Sequence, residues 1–149
     1  MSVIMQSDLE DLLDEVRLTW HGLVRAGERL HADEPTTVGM RAVLERLLLR
    51  GAATVPAIAR DRRVTRQHVQ ILVNALAKKN LVELVPNAAH KRSPLVPLTG
   101  SGERLIKRMK KRERQLLASL SIEATPAAVA RATATLRAVR NGLEIGGNP

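Results

Sequence analysis

The sequence predicts a mainly α-helical fold with a small β-hairpin, and composition and apolar spacing both support this. The 149 residues are 44% hydrophobic but contain no Phe or Tyr and one Trp, so the core must be built from aliphatic side chains. Leu, Ala and Met favour helices over a large sheet. Most of the chain has the apolar spacing of amphipathic helices, and only two short runs favour β structure.

The first predicted helix covers residues 7–30. Its apolar residues recur at the i, i+3, i+4, i+7 spacing of one helical face, at Leu9, Leu12, Leu13, Val16, Trp20, Leu23, Val24 and Leu30. After a break, a second helix runs from about Thr37 to Arg50. We expect it to end at Gly51, because glycine suits the left-handed conformation that closes many helices.

A short helix and a longer helix follow, separated by a tight turn. Thr54 is placed to cap a helix over residues 55–60, and Thr65 is placed to cap a helix that ends at Lys79. A short helix, a turn over residues 61–64 and a longer helix are the order of a helix-turn-helix motif.

Residues 81–85 and 95–98 are predicted to form a β-hairpin with a basic tip. Pro94 and Pro97 predict that its second strand lies at a sheet edge, since proline cannot donate a hydrogen bond to a neighbouring strand. Helices over about residues 103–120 and 125–141 complete the chain. The whole pattern is typical of a winged helix-turn-helix domain with additional terminal helices.

The positive charge is concentrated in the middle and at the end of the chain. The net charge is +9, with −5 on residues 1–40, +8 on residues 41–100 and +6 on residues 101–149. This distribution suits a middle region that faces a polyanion. By itself, the charge also fits RNA, an anionic membrane or crowded surface lysines.

The helix from Thr65 to Lys79 has two distinct faces. Val69, Leu72, Val73 and Leu76 fall on one side and should pack against the domain. Amide side chains can bond to adenine edges, aliphatic ones touch thymine methyls, and arginine pairs with guanine or phosphate. We therefore predict a DNA-contacting set at Thr65, Arg66, Gln67, His68, Gln70, Ile71, Asn74 and Lys78. An ordinary polar helix face is the alternative.

Three segments, Ala53–Ala59, Val64–Val69 and Leu76–Val82, resemble the DNA-binding core of the MarR (multiple antibiotic resistance regulator) family. Residues 90–99, followed by Gly102, are similar to the family's wing. The resemblance covers about residues 37–120 by motif, and the flanking helices by length and position only. It implies a transcriptional regulator of double-stranded DNA, most simply a repressor, with Lys91 and Arg92 as wing contacts.

Three residues depart from the family pattern. Arg63 stands in the interhelical turn where relatives often have glycine, which implies a different turn geometry. Asn80 replaces a glycine after the recognition helix, and asparagine also tolerates the left-handed conformation. His90 replaces the wing's usual acidic residue, so the salt bridge that orients the wing arginine is in question.

The resemblance also implies a homodimer, with residues 1–36 and 103–149 as a helical dimerisation region and residues 37–102 as the DNA-binding domain. Two recognition helices would then lie roughly 34 to 36 Å apart on a pseudo-palindrome. The long apolar stripes of the first and last helices support this independently, because so small a core cannot cover them.

Relatives of this kind tend to bind small effectors between the first helix and the DNA-binding lobe. Arg17 and His21 flank the apolar stripe that contains Trp20, and a cation there suits an anionic aromatic effector. A solvated helix face is the alternative for Arg17 and His21. A core or dimer-interface position is the alternative for Trp20.

Neither an enzyme nor a cofactor nor a metal site is expected. The chain has no cysteine, and His21, His31, His68 and His90 form no i, i+4 pair. No phosphate loop, nucleophile elbow or convincing carboxylate pair is present. The amino end lacks the pattern of a signal peptide, and no apolar run could span a bilayer, so we expect a cytoplasmic protein without membrane contact.

Two functions from other classes remain open. The first is an architectural protein that coats DNA without sequence preference. The second is a winged helix used as a protein-interaction module, for which the basic hairpin would be incidental. Footprinting and the salt dependence of binding distinguish these from a sequence-specific regulator.

Overall fold

A computed structural model of the protein describes residues 6–146, which form helices with a small antiparallel sheet. This confirms the predicted fold class. The helices are α1 (Gln6–Leu30), α2 (Val38–Arg50), α3 (Val55–Arg62), α4 (Arg66–Lys78), α5 (Gly100–Ser119) and α6 (Pro126–Gly146), and the strands are β1 (Ala53–Thr54) and β2 (Leu95–Val96). The chain divides into two compact units, one ending at Leu116 and the other beginning at Leu117.

The core of the first unit is aliphatic, as the composition predicts. It is formed by one face each of α2, α3, α4 and α5, together with buried residues of the strands and of the hairpin between these helices. Its buried members include Met40, Val43, Leu44 and Leu47 from α2, Val55, Ile58 and Ala59 from α3, Val69, Val73 and Leu76 from α4, and Leu105, Ile106 and Met109 from α5. The helices α2 and α5 therefore pack against the buried side of the helix-turn-helix pair.

Threonine caps begin the helices α2, α3 and α4. The hydroxyl oxygens of Thr37, Thr54 and Thr65 each accept a hydrogen bond from the backbone N–H three residues later, at 3.3, 3.4 and 3.1 Å. At the other helix ends, Gly51 and Asn80 have φ angles of 77° and 54°. The predicted caps at Thr54 and Thr65 and the positive φ of Asn80 are thus confirmed. Gly51 ends α2 as predicted, but its ψ of −176° places it outside the left-handed helical conformation expected for it.

The turn of the helix-turn-helix is closed by an arginine in the left-handed conformation. Arg63 has φ 55° and ψ 44°, and its N–H donates to the carbonyl of Arg60 at 3.2 Å. A side chain at such a backbone costs about 1 to 2 kcal/mol relative to the right-handed region. Arg63 therefore adopts the conformation that favours glycine.

The hairpin forms, but its second strand is not an edge strand. Leu95 pairs with Thr54 of β1 on one side and with Val85 on the other, where two backbone hydrogen bonds measure 2.9 Å each. The edge prediction was wrong because Pro94 and Pro97 flank the two paired residues of β2. Pro97 accepts from the N–H of Glu83 at 3.0 Å but has no hydrogen to return, so one hydrogen bond of the ladder is missing there, although Val82 and Leu98 still pair beyond it.

Ion pairs connect the α1–α2 junction and α2 to α5. Asp33 accepts from Arg112 at 2.8 and 3.0 Å, Glu34 accepts from Arg108 at 2.9 and 3.0 Å, and Glu45 accepts from Lys110 at 2.6 Å. The buried His31 lies beside them, with its Nε2 atom 3.3 Å from Glu113 Oε1. Much of the basic run on α5 is therefore paired with carboxylates of the same chain.

Large apolar side chains remain exposed on α1 and in the second unit. On α1 these are Val16, Leu18, Trp20 and Leu23, and in the second unit they are Leu117, Leu120, Ile122, Val129, Leu136 and Leu143. None of the helices in the described part of the chain is long and apolar enough to cross a membrane.

Candidate nucleic-acid interface

The helix α4 presents a mainly polar face to solvent because most of its large apolar residues lie on the opposite side. Val69, Val73 and Leu76 are completely buried, and Leu72 is half-buried. The predicted contact residues are all exposed: Thr65, Arg66, Gln67, His68, Gln70, Ile71, Asn74 and Lys78. Ile71 is 60% exposed, so an aliphatic side chain stands among the polar ones, as contact with a thymine methyl group requires.

Two amides in the middle of this face form a pair. Gln70 Nε2 donates to Asn74 Oδ1 at 2.9 Å across one helical turn. This bond fixes the two side chains relative to each other and leaves the Gln70 carbonyl oxygen and an Asn74 N–H available. One acceptor and one donor side by side complement the edge that adenine presents in the major groove.

The amino end of α4 and the end of the hairpin loop line one cleft of about 260 Å³. Arg66, Gln67 and Gln70 form one wall, and Arg92, Ser93 and Pro94 form the other, with Val55 and Pro56 between them. Residues that lie 26 positions apart in the sequence, Arg66 and Arg92, are thus brought to the same groove. Its two guanidinium groups make the cleft suited to an anionic strand.

The hairpin tip is a hydrogen-bonded loop that carries Lys91 and Arg92, both of them exposed. Asn87 organises this loop: its Oδ1 accepts from the N–H of Ala89 at 3.1 Å, and its Nδ2 donates to the carbonyl of Ser93 at 3.2 Å. His90 joins through its backbone, which donates to the Asn87 carbonyl at 3.2 Å. The order of the tip comes from an amide side chain that the sequence analysis did not single out.

An acidic residue near the helix-turn-helix is neutralised within the protein. Asp61 accepts from Arg46 Nε at 2.8 Å and lies 3.2 Å from Arg50 NH1. The hydrogen bond from Arg46 holds the pKa of Asp61 below its ordinary value of 3.8, so this carboxylate stays charged and paired. The exposed cations Arg66, Lys91 and Arg92 therefore set the sign of the potential around the cleft.

A second cavity, of about 230 Å³, lies between α1, α2, the end of α3 and α5. Trp20 lines it, together with Arg41, Arg62, Glu45 and Glu113, and with Leu23, Val24, Gly27, Val38 and Ala42. The predicted residues Arg17 and His21 are not in its lining, and Arg17 forms an ion pair with Asp14 on its own helix. The sequence did not indicate Arg41 and Arg62 because they approach from other helices.

Over residues 6–146, no group of three or more His, Asp or Glu side chains is arranged to hold a metal ion.

Comparison with known proteins gives relatives and structural neighbours. No family model matches the chain. It is 36% identical, over 115 residues, to an uncharacterised protein of Mycobacterium tuberculosis, a match that covers 77% of this chain and 80% of that protein. It is also similar to the crystal structure of the MarR family transcription regulator SP03579, with a TM-score of 0.83, 26% identity, and coverage of 96% of this chain and 95% of that one.

Two further structures share the fold at lower identity. One is Bordetella bronchiseptica BpsR, whose DNA binding is regulated by 6-hydroxynicotinic acid, with a TM-score of 0.77, 21% identity, and coverage of 93% of this chain and 98% of that one. The other is a mutant of Escherichia coli MarR in complex with operator DNA, with a TM-score of 0.74, 19% identity, and coverage of 92% and 99%. With a fold that matches the MarR family regulator of 26% identity over almost the whole of both chains, the chain belongs to the MarR family of transcription regulators.

Proposed function

We propose that the protein binds double-stranded DNA in a sequence-specific manner, as a homodimer on a pseudo-palindromic operator. The observation that carries this proposal is the shared cleft, which is lined both by Gln67 and Gln70 of α4 and by the wing arginine Arg92. A helix that reads the major groove beside a basic hairpin that enters the minor groove is the way winged helices bind a duplex.

The residues of α4 and of the wing contact different parts of the duplex. Gln67, Gln70 and Asn74 contact base edges in the major groove, and Ile71 contacts a thymine methyl. Because one sugar-phosphate strand separates the major groove from the minor groove, that strand occupies the cleft, between Arg66 and Arg92. These two arginines neutralise phosphates and supply affinity that does not depend on sequence.

The remaining predicted residues lie around this contact. Thr65 and His68, at the amino end of α4, approach the backbone that borders the major groove, and Lys78 approaches it from the carboxyl end of the helix. Lys91 reinforces Arg92 at the wing. This assignment makes the amide residues the source of specificity and the cations the source of affinity.

The homodimer is supported by the apolar side chains that α1 and the second unit leave exposed. Trp20 is 60% exposed, Leu23 56%, Leu136 41% and Leu143 65%. Apolar side chains exposed in such numbers indicate a surface that is covered by a partner. We assign residues 1–36 and 103–149 to dimerisation and residues 37–102 to DNA binding, in a cytoplasmic protein that represses by blocking polymerase.

An effector-binding role is assigned to the cavity beside Trp20. Its ring and the neighbouring aliphatic side chains suit an aromatic ligand, and the guanidinium groups of Arg41 and Arg62 suit an anionic one. We therefore assign the contact with an anionic effector to Arg41 and Arg62 in place of Arg17 and His21. An effector that binds better to the DNA-incompetent arrangement of the dimer would release the operator by a population shift.

The proposal is tested by footprinting the purified protein on the promoter region of its own gene. We expect a protected palindrome with half-sites centred about one helical turn apart. Uniform coating at all positions would indicate an architectural protein instead. Absence of duplex binding at low ionic strength would indicate an interaction module.

A further inference from the structure

The structure assigns a positioning role to Asn87: we propose that its side chain holds the wing tip closed and so places Lys91 and Arg92 for contact with DNA. The inference deepens the proposed function and rests on it. Asn87 lies at the start of the loop, and Arg92 lies five residues later, at the other end.

The hydrogen bonds of Asn87 span the whole loop. The Oδ1 bond to the N–H of Ala89 forms an Asx turn at the beginning of the tip, at 3.1 Å. The Nδ2 bond to the carbonyl of Ser93, at 3.2 Å, reaches the residue directly after Arg92. A single planar amide therefore connects the two ends of the segment that presents both cations.

The backbone completes the same arrangement. The N–H of His90 donates to the Asn87 carbonyl at 3.2 Å, and the N–H of Ser93 donates to the His90 carbonyl at 3.0 Å. These are the bonds of two consecutive tight turns, and regular strand pairing ends at Val85 and Leu95. Beyond that point the Asn87 side chain is the cross-connection that the structure shows between the two arms of the hairpin.

The order of the wing tip affects the free energy of DNA binding. Side chains and loops that must be ordered on association cost affinity, and a tip that is already ordered avoids this cost. The Asn87→Ala variant should therefore bind duplex DNA about three- to tenfold more weakly than the wild type, because the loop must be ordered during binding. The tip lies outside the buried core, so the urea concentration at the unfolding midpoint should be the same for Asn87→Ala as for the wild type.

The experiment compares Asn87→Ala in two backgrounds by fluorescence anisotropy with a duplex taken from the footprinted promoter. The first is the wild type, and the second is the Lys91→Ala/Arg92→Ala variant, which lacks the cations that Asn87 is proposed to position. We expect a loss of affinity in the first background and none in the second. Equal losses in both backgrounds, or no loss in either, would overturn the inference.

A measurement without DNA separates this inference from the proposed function. Trypsin cleaves after Lys91 and Arg92, and cleavage requires an opened loop. We expect faster cleavage at these two bonds in Asn87→Ala than in wild type, with Gln115→Ala, a change of an exposed amide on α5, as the matched control. Unchanged cleavage would refute the positioning role even if the protein binds DNA, whereas faster cleavage without duplex binding would refute the proposed function alone.

Discussion

The carboxylate of Glu34 accepts two hydrogen bonds from the guanidinium group of Arg108, at 2.9 and 3.0 Å. The Glu34 side chain is only 7% exposed, and a second guanidinium, that of Arg112, lies 3.4 Å away. The pair joins the α1–α2 junction to α5 across 74 positions of sequence. It ties together the two segments proposed for dimerisation, residues 1–36 and 103–149.

Replacing Arg108 should destabilise the fold more than replacing an exposed neighbour. Arg108→Met leaves the nearly buried Glu34 carboxylate without its two hydrogen bonds and with only the more distant Arg112 as a cation, and a buried charge that loses its partner is costly. Lys107→Met, which removes an exposed ion pair with Glu103 on the same helix, is the control. We expect a clearly lower melting temperature for Arg108→Met in thermal unfolding. Equal melting temperatures of the two variants would contradict this account of the junction.

The contribution of Asp61 should disappear in acid. Arg46 lowers the pKa of Asp61 below 3.8, so the stabilisation is fully present above pH 3.8 and is lost as the pH falls through the folded-state pKa. Asp61→Asn should therefore be less stable than wild type in urea at neutral pH, and the difference should close as the pH falls below about 4. A difference that stays constant down to pH 3.8 and below would refute the pairing.

Arg63→Gly should stabilise the protein. Glycine adopts the left-handed conformation of this turn without steric cost, which offsets its greater freedom in the unfolded chain. We expect a gain of about 0.5 to 1 kcal/mol in the free energy of unfolding. Arg60→Gly, inside α3, is the control and should lose about 1 kcal/mol. If both variants lost stability, the turn would not be strained at Arg63.

Gly102→Ala should damage the contact between α5 and the wing. A Cβ atom at this position would lie 2.0 Å from the Leu81 carbonyl oxygen, so the start of α5 or the first arm of the hairpin would have to move. Overpacking of this kind costs about 1 to 3 kcal/mol. The exposed neighbour Ser101→Ala should change stability by less than about 0.5 kcal/mol. Chemical denaturation of both variants checks the difference, and a tolerated Gly102→Ala would show that the contact is loose.

The sequence predicted the elements whose signals are local. Thr54 and Thr65 mark helix starts because a hydroxyl reaches the N–H three residues on, and Asn80 marks a helix end because asparagine tolerates a positive φ. The strand pairing of Ala53–Thr54 was missed, since two residues have no periodicity. The prediction that the second strand lies at the edge of the sheet failed because a proline prevents hydrogen bonding only at its own position. Leu95 is not a proline and pairs on both sides.

Contacts that join distant segments were beyond sequence reasoning. Trp20 was expected near a pocket, but Arg41 and Arg62 come from helices whose crossing no local pattern specifies. The burial of His31 follows from the packing of α5 against the end of α1 and is likewise invisible in the sequence. For α4, the division between a buried stripe and an exposed amide face could be predicted, because helical periodicity alone determines it.

The claim that the exposed face of α4 reads DNA bases is tested most directly by binding affinities. These are measured for an operator duplex and for a scrambled duplex over a range of salt concentrations. Gln67→Ala and Asn74→Ala should lose about 1 to 3 kcal/mol on the operator and little on the scrambled duplex. Arg92→Ala should weaken binding to both duplexes and lower the salt slope by about one unit. The same uniform loss for the amide and arginine variants would contradict the claim that α4 reads bases while the wing holds the backbone.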